Sequence, residues 1–327
     1  MGPAPSPATS RPLAAIGADL GGTKMLVGVV EDGPRVLYEA TEASMGRSQE
    51  DILEGMESAL RKALEAHPEA RAAGLGIPCT IDQERGLAIA AVNLDIVDVP
   101  VRDIMAERLG IPVVLDNDAN AAALAEHRWG AARGTRNAVI LTIGTGIGGG
   151  LIIDGGVYRG STGAGAELGH MVIDHDGPPC QGNCPNHGCA EAVASGTALG
   201  REALQAAESH PDSALGQLLE AGQQVDGRAA TVAALAGDEV AIGVIETIGR
   251  RLGAYASGLV NVFEPEVIVF GGGVLAAGDL LLDPVRDEVE RRALKPMNRT
   301  RIAHAELGPE AGMIGAATMA MDTDEHL

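Results

Sequence analysis

The chain is nearly without aromatic side chains: two Phe, three Tyr and one Trp make up 2% of 327 residues. Its cores must therefore be built from Ala, Leu, Ile and Val, with Gly allowing close approach. Lysine is almost missing as well, present only as Lys24, Lys62 and Lys295. Positive charge is scarce altogether. Lys and Arg number 24 against 45 Asp and Glu, for a net charge of −21 and a pI of about 4.7. Such a chain repels nucleic-acid phosphate, which excludes a general nucleic-acid binder. No apolar run approaches the roughly 18 residues that a membrane helix needs, so no membrane partner is expected. No basic segment followed by an apolar one opens the chain, so no secretory leader is expected. Cysteines number four, and three of them cluster while Cys79 stands alone. That is no disulfide framework, and a reducing cytoplasm fits it best.

The length suits two domains or one large lobed unit. Residues 1–12, MGPAPSPATSRP, are Pro/Ala/Ser-rich and read as a disordered extension. LAAIGADLGGTKMLVGVVED, residues 13–32, reads as a β-hairpin bent at Gly21-Gly22, with a third strand over 34–42. Residues 48–66 carry helical periodicity, with Ile52, Leu53, Met56, Leu60 and Leu64 on one face and Ser48 as N-cap. Residues 72–82 read as one buried strand entering a loop. A short helix follows at VPVRDIMAERLG, then a buried strand at IPVVLDND, then an alanine-rich helix. At residues 137–160 the strand, glycine turn and strand recur, which suggests a duplicated core. Helices are expected over 191–206, 213–221, 229–235, 238–261 and 310–321. A strand running into a triple glycine is expected over 266–278. Alternating strands and helices make the class α/β.

The densest chemistry lies in residues 163–191, GAGAELGHMVIDHDGPPCQGNCPNHGCAE. His170, Cys180, Cys184 and Cys189 form a set of one imidazole and three thiols, which suits a closed tetrahedral zinc site. Unlinked core cysteines and a disulfide are the competing readings. The thiols share one turn-rich window, and an odd number of them pairs poorly. His175 and His187 are alternative ligands to His170. A metal here would gather Glu167, His170 and Glu191.

Three glycine-rich loops could receive a nucleotide. DLGGTK, residues 19–24, joins Asp19 to a glycine turn, a hydroxyl and Lys24. Bare N–H groups there can cradle phosphate while the acid organises Mg²⁺. TIGTGIGGG, residues 142–150, offers Thr145 and Gly146 but no P-loop lysine. Gly271, Gly272 and Gly273 follow an apolar strand, where an adenine could lie against bare backbone. Asp118 ends a buried strand and could take a proton from a hydroxyl. Asp116 competes with it, and either acid could instead cap the helix that follows.

Taken together, these motifs resemble the ROK family of bacterial sugar kinases and repressors, within the hexokinase–actin-like ATPase fold. DLGGTK, LDNDANAAALAE, TIGTGIGGGLIIDGGVYRGSTGAGAELGH and CPNHGCAE carry the resemblance, which spans about residues 14–320. It implies a two-lobed, ribonuclease H-like α/β fold with duplicated βββαβα-type cores and a central cleft. A small lobe would cover 13–118, with a C-terminal helix at about 310–327 packing back on it. A large lobe with the zinc motif would cover 119–309.

The resemblance implies Asp118 as the base on a sugar 6-hydroxyl. Asn93, Asn117, Glu167, His170 and Glu191 would hold the other hydroxyls. Gly21, Gly22, Thr23 and Thr145 would surround ATP phosphates, and Gly271–Gly273 the adenosine. Zinc at His170, Cys180, Cys184 and Cys189 would be structural. The family's C-x-C-x4-C is C-x3-C-x4-C here, lengthened by two residues within QGN. The expected reaction is ATP- and Mg²⁺-dependent phosphorylation of glucose by a cytoplasmic homodimer or homotetramer. Other hexoses, N-acetylglucosamine, N-acetylmannosamine, a polyphosphate donor and a non-catalytic sugar sensor stand as alternatives.

Overall fold

The computed structural model describes residues 14–21, 24–31, 34–43, 48–91 and 94–322. The N-terminal extension, Gly22, Thr23, Asn93 and the tail after residue 322 lie outside the described residues. The chain divides into two compact units, Met1–Ala125 with Glu310–Leu327, and Glu126–Pro309.

The first unit opens with β1 (Ala14–Leu20), β2 (Lys24–Glu31) and β3 (Arg35–Ala43), an antiparallel meander. Helix α1 (Gln49–Ala66) starts at the expected Ser48, whose hydroxyl accepts from the Asp51 N–H in a reciprocal capping box. Its buried face is Ile52, Leu53, Met56, Ala59, Leu60 and Ala63, which holds four of the five predicted positions, with Leu64 half-buried at its edge. The single strand expected over 72–82 is instead two. Pro78 divides β4 (Ala73–Ile77) from β5 (Cys79–Asp82), which belongs to a separate sheet with β6 (Leu87–Ala91) and β7 (Val97–Val99). Helix α2 (Val101–Leu109) ends at Gly110 in the left-handed conformation. Strand β8 (Val113–Asn117) runs into α3 (Asp118–Arg128). The main sheet has the order β3-β2-β1-β4-β8, with β4 parallel to both β1 and β8.

The second unit repeats that plan. Strands β9 (Ala138–Ile143), β10 (Ile147–Ile153) and β11 (Gly156–Val157) form the meander. Five helices follow: α4 (Ala190–Ala194), α5 (Gly196–Ser209), α6 (Ala214–Glu220), α7 (Gly227–Leu235) and α8 (Glu239–Phe263). Strand β12 (Val267–Gly271), α9 (Asp279–Arg292) and β13 (Arg301–His304) complete the sheet β11-β10-β9-β12-β13. The order and strand directions match those of the first sheet, so the duplication read from the glycine hairpins holds at the level of topology. Helix α9 is absent from the sequence reading because Pro284 lies inside it and acids dominate its surface. Helix α10 (Ala311–Asp322) closes the chain. Among the described residues, no helix is long and apolar enough to cross a membrane.

Small residues take over the work of missing aromatics. A Cβ on Gly17 of β1 would stand 2.0 Å from the Met313 carbonyl oxygen, and one on Gly74 of β4 would stand 1.8 Å from that of Ala316. Helix α10 therefore lies on the sheet at backbone distance. Dispersion gained over a close interface stands in for the bulk of large side chains.

The chain passes from one unit to the other after Ala125 and again after Pro309. Glu126, only 1% exposed, stands beside both passages. Its Oε2 accepts from the N–H groups of Ala131 (2.8 Å) and Glu306 (3.2 Å), and its Oε1 from that of Leu307 (2.9 Å). A Gln at this position has one acceptor oxygen, so its NH2 would confront a buried N–H. Glu126→Gln is expected to cost about 2 kcal/mol and to lower Tm by roughly 4–8 °C in scanning calorimetry. An unchanged Tm would contradict this role.

Candidate active site

The strand-to-helix junction at β8–α3 sorts out three adjacent polar residues. Asp116, 2% exposed, accepts at Oδ1 from the Asn117 N–H (2.8 Å) and from Asn120 Nδ2 (3.0 Å). It is an internal brace of the turn. Asn117 is the helix cap: its Oδ1 accepts from the N–H groups of Ala119 (2.9 Å) and Asn120 (3.2 Å). Its Nδ2 donates to the Cys79 carbonyl at 3.4 Å, a long bond that a substrate hydroxyl could replace. Asp118 is half-buried at the first position of α3, with Oδ1 accepting from the Ala119 N–H at 2.9 Å. A carboxylate there meets the positive end of the helix dipole. The capping role that the sequence offered to either acid belongs mainly to the asparagine between them.

Asp19 lies one residue before the end of β1, and the Gly21 N–H donates to the Lys24 carbonyl at 2.8 Å. Burial pushes the Asp19 carboxyl up to about 7; the charge of Asp118 adds to the rise and that of Lys24 opposes it. Two carboxyl groups and one ammonium thus share a local field, the kind of place where a divalent cation is stabilised.

In the second unit the β9–β10 turn is held from several sides. The Gly144 N–H donates to the Gly146 carbonyl (2.9 Å), and the Gly196 N–H at the start of α5 donates to the Gly144 carbonyl (2.7 Å). The Ile147 N–H donates to Glu191 Oε2 at 2.8 Å. A Cβ on Gly146 would lie 2.1 Å from that same oxygen, so only glycine lets the carboxylate approach. Glu167 precedes and His170 ends a 3-10 turn, Leu168–His170, that packs near β10. The hydroxyl of buried Tyr255 donates to the Leu168 carbonyl at 2.9 Å and fixes this turn from below. Partial burial raises the Glu167 carboxyl above the usual range, with His170 opposing and Glu191 adding. At the end of β12, Gly271 is buried, whereas Gly272 and Gly273 are exposed. Gly272 has φ +91°, and a Cβ there would stand 2.5 Å from the Ile143 carbonyl oxygen. This loop therefore abuts the turn end of the β9–β10 hairpin.

His170, Cys180, Cys184 and Cys189 each offer a ligand atom, and all of these lie within 4.8 Å of one another. Cys180 Sγ is 3.5 Å from His170 Nδ1, and Cys184 Sγ is 3.9 Å from Cys189 Sγ. A zinc tetrahedron with ordinary Zn–S bonds has S···S edges of about 3.8 Å. The donor set and its spacing therefore fit Zn²⁺, and the four cysteines are free thiols. His170 turns Nδ1 toward the thiols, which leaves Nε2 on the far side of the ring. His175 is exposed and paired with Asp176, and His187 is exposed; neither belongs to the quartet. Cys180 also lies 3.9 Å from Glu191 Oε1, so one glutamate touches both the thiol cluster and the β9–β10 turn. Sequence reasoning missed Tyr255 and Gln181, which act through contacts far along the chain and carry no local motif.

Two outcomes follow. The purified chain should carry one Zn²⁺ per molecule by atomic emission, and Cys184→Ser should lose most of it; full retention in that variant would contradict the quartet. Asp19 titrates at about 7 in the folded chain against 3.8 as its ordinary value, so its charging costs stability as pH rises through that window. Without added magnesium, Asp19→Asn should melt several degrees above the parent at pH 8, and the excess should shrink toward pH 5. An excess that grew on acidification would contradict the assignment.

A sequence model described as the ROK family matches residues 15–323. The chain is 35% identical to a glucokinase of Thermotoga maritima over 310 residues, covering 94% of this chain and 97% of the relative. It is 36% identical to a glucokinase of Streptomyces coelicolor over 318 residues, covering 94% and 98%. The crystal structure of a ROK family glucokinase from Streptomyces griseus in complex with glucose and AMPPNP superposes with a TM-score of 0.83 at 37% identity, covering 94% of this chain and 99% of that one. The family match and these similarities run along nearly the whole chain, and this protein belongs to the ROK family.

Proposed function

We propose that the protein is an ATP-dependent hexokinase-type phosphotransferase that converts glucose to glucose 6-phosphate. The observation that carries this reading is similarity to glucokinases along nearly the full length of both chains. The local chemistry agrees with it. Phosphoryl transfer asks for positioning and charge stabilisation rather than covalent work by the protein. Asp118, half-buried at the start of α3, accepts the proton of the sugar 6-hydroxyl as its oxygen attacks the γ-phosphorus. The bond from the γ-phosphorus to the bridging oxygen breaks, ADP leaves, and the proton remains on Asp118 until solvent takes it. Asn117 offers Nδ2 to the sugar, since its Oδ1 serves the helix. Glu167 and His170 Nε2 hold further hydroxyls, with Asn93 and the outer edge of Glu191 contributing.

Thr145, Gly146 and the Gly21–Thr23 turn receive the phosphates, and Gly271–Gly273 border the adenosine. Mg²⁺ held near Asp19 would neutralise triphosphate charge. Zn²⁺ held by the quartet would set the orientation of His170 and keep it in one tautomer. The ligand set is closed by four protein donors, which marks a structural site rather than a reactive one.

The test is ADP release with Mg-ATP across a panel of hexoses and N-acetylhexosamines. Glucose should give the highest kcat/KM. Asp118→Asn should lower kcat by about 10³-fold or more while glucose binding persists. Turnover of another sugar in place of glucose would replace the substrate, and full activity in the Asn variant would remove Asp118 as the base.

A further inference from the structure

The two residues that lengthen the first cysteine loop fall within Gln181-Gly182-Asn183, between Cys180 and Cys184. Gln181 reaches out of that loop to the β9–β10 turn. Its Nε2 donates to the Thr145 carbonyl at 3.1 Å and to Ser195 Oγ at 3.2 Å. Its Oε1 accepts from Thr197 Oγ1 at 3.1 Å, and that hydroxyl also lies 2.8 Å from the Thr145 carbonyl. The Thr197 N–H adds a longer contact to the same carbonyl at 3.4 Å. One exposed loop carbonyl therefore gathers donors from the metal loop and from the first turn of α5.

This matters because of what the peptide group dictates. The Thr145–Gly146 peptide is planar and trans, so fixing its C=O fixes its N–H in the opposite direction. The Gly146 N–H donates to no acceptor among the described residues. Thr145 itself is exposed and Gly146 half-buried. The adjacent N–H, that of Ile147, is taken by Glu191. The N–H groups of Gly144 and Ile147 are thus bonded within the turn, while that of Gly146 is directed by what holds the Thr145 carbonyl.

We propose that Gln181 is a positioning residue for the nucleotide phosphates: the lengthened loop between two metal ligands orients the Thr145–Gly146 peptide that meets them. The inference rests on the kinase reading above, in which this turn receives ATP. It gives the metal loop a second task besides orienting His170, and it assigns that task to the amide rather than to the ligands. The chemistry is specific to an amide. A carboxylate in its place would set an anionic oxygen against the Thr145 carbonyl, and a methyl would leave that carbonyl with Thr197 alone.

The test uses the intact zinc-loaded protein and its Gln181→Ala and Gln181→Glu variants. Calorimetry would give Kd for Mg-AMPPNP and, separately, for glucose, and atomic emission would give the zinc content. Loss of one neutral hydrogen-bonded contact is expected to weaken AMPPNP binding by about 5–10-fold in the Ala variant. The Glu variant should be at least as weak, with glucose Kd and zinc unchanged in both. AMPPNP binding within about twofold of the parent would overturn the proposal. So would loss of zinc, or an equal loss of glucose affinity, because Gln181 would then merely brace the metal loop. If the parent binds AMPPNP but fails to phosphorylate any sugar, the functional reading fails, while the comparison of nucleotide Kd values still decides the role of Gln181.

Discussion

The carboxylate of Glu191 is the point on which the second unit's chemistry turns. One oxygen receives the Ile147 N–H and the other lies against the Cys180 thiol. A glutamate side chain thereby ties the His/Cys cluster, at Cys180, to the hairpin turn at Thr145–Gly146. Gly146 is constrained by the same contact, since any side chain there would overlap the carboxylate. The site therefore depends less on the number of ligands than on one residue with two neighbours of different kinds. Carboxylates that accept backbone N–H groups are costly to remove, because the donors are left unpaired. Glu126 follows the same logic where the chain passes between units.

A second constraint is the scarcity of large side chains. With six aromatic residues in 327, the cores rely on β-branched and leucine side chains and on glycines that admit backbone to backbone. Tyr255 shows how the few aromatics are used. It is buried in the second core and spends its hydroxyl on the carbonyl of Leu168, next to Glu167 and His170. Packing and site geometry are thus not separate achievements of this chain.

Much of this was legible in the sequence. The two glycine hairpins, the stripe of α1, the Ser48 cap and the sulfur-rich knuckle all rest on short-range patterns, and each is present. The repeated hairpin implied repeated topology, and the two sheets share one strand order. What was not legible depends on long-range or competing effects. Pro78 splits a run of apolar residues into strands of two different sheets, which periodicity alone cannot show. Helix α9 hides behind Pro284 and a polar surface, although Leu281, Leu282, Val285 and Val289 keep a helical spacing. The choice between Asp116 and Asp118 could not be made from spacing, because it is Asn117 that serves as the helix cap. Gln181 stood inside the one departure from the family's cysteine spacing, so a signal existed, but its meaning required the position of Thr145.

The reaction proposed for this chain is transfer of a phosphoryl group from ATP to the 6-hydroxyl of glucose. Phosphorus–proton correlation NMR of the product mixture decides the matter, because it reports where the phosphorus goes rather than that ATP was consumed. A new phosphomonoester resonance coupled to the two protons on C6 is expected. A resonance coupled to the anomeric proton, or inorganic phosphate as the sole new species, would contradict it.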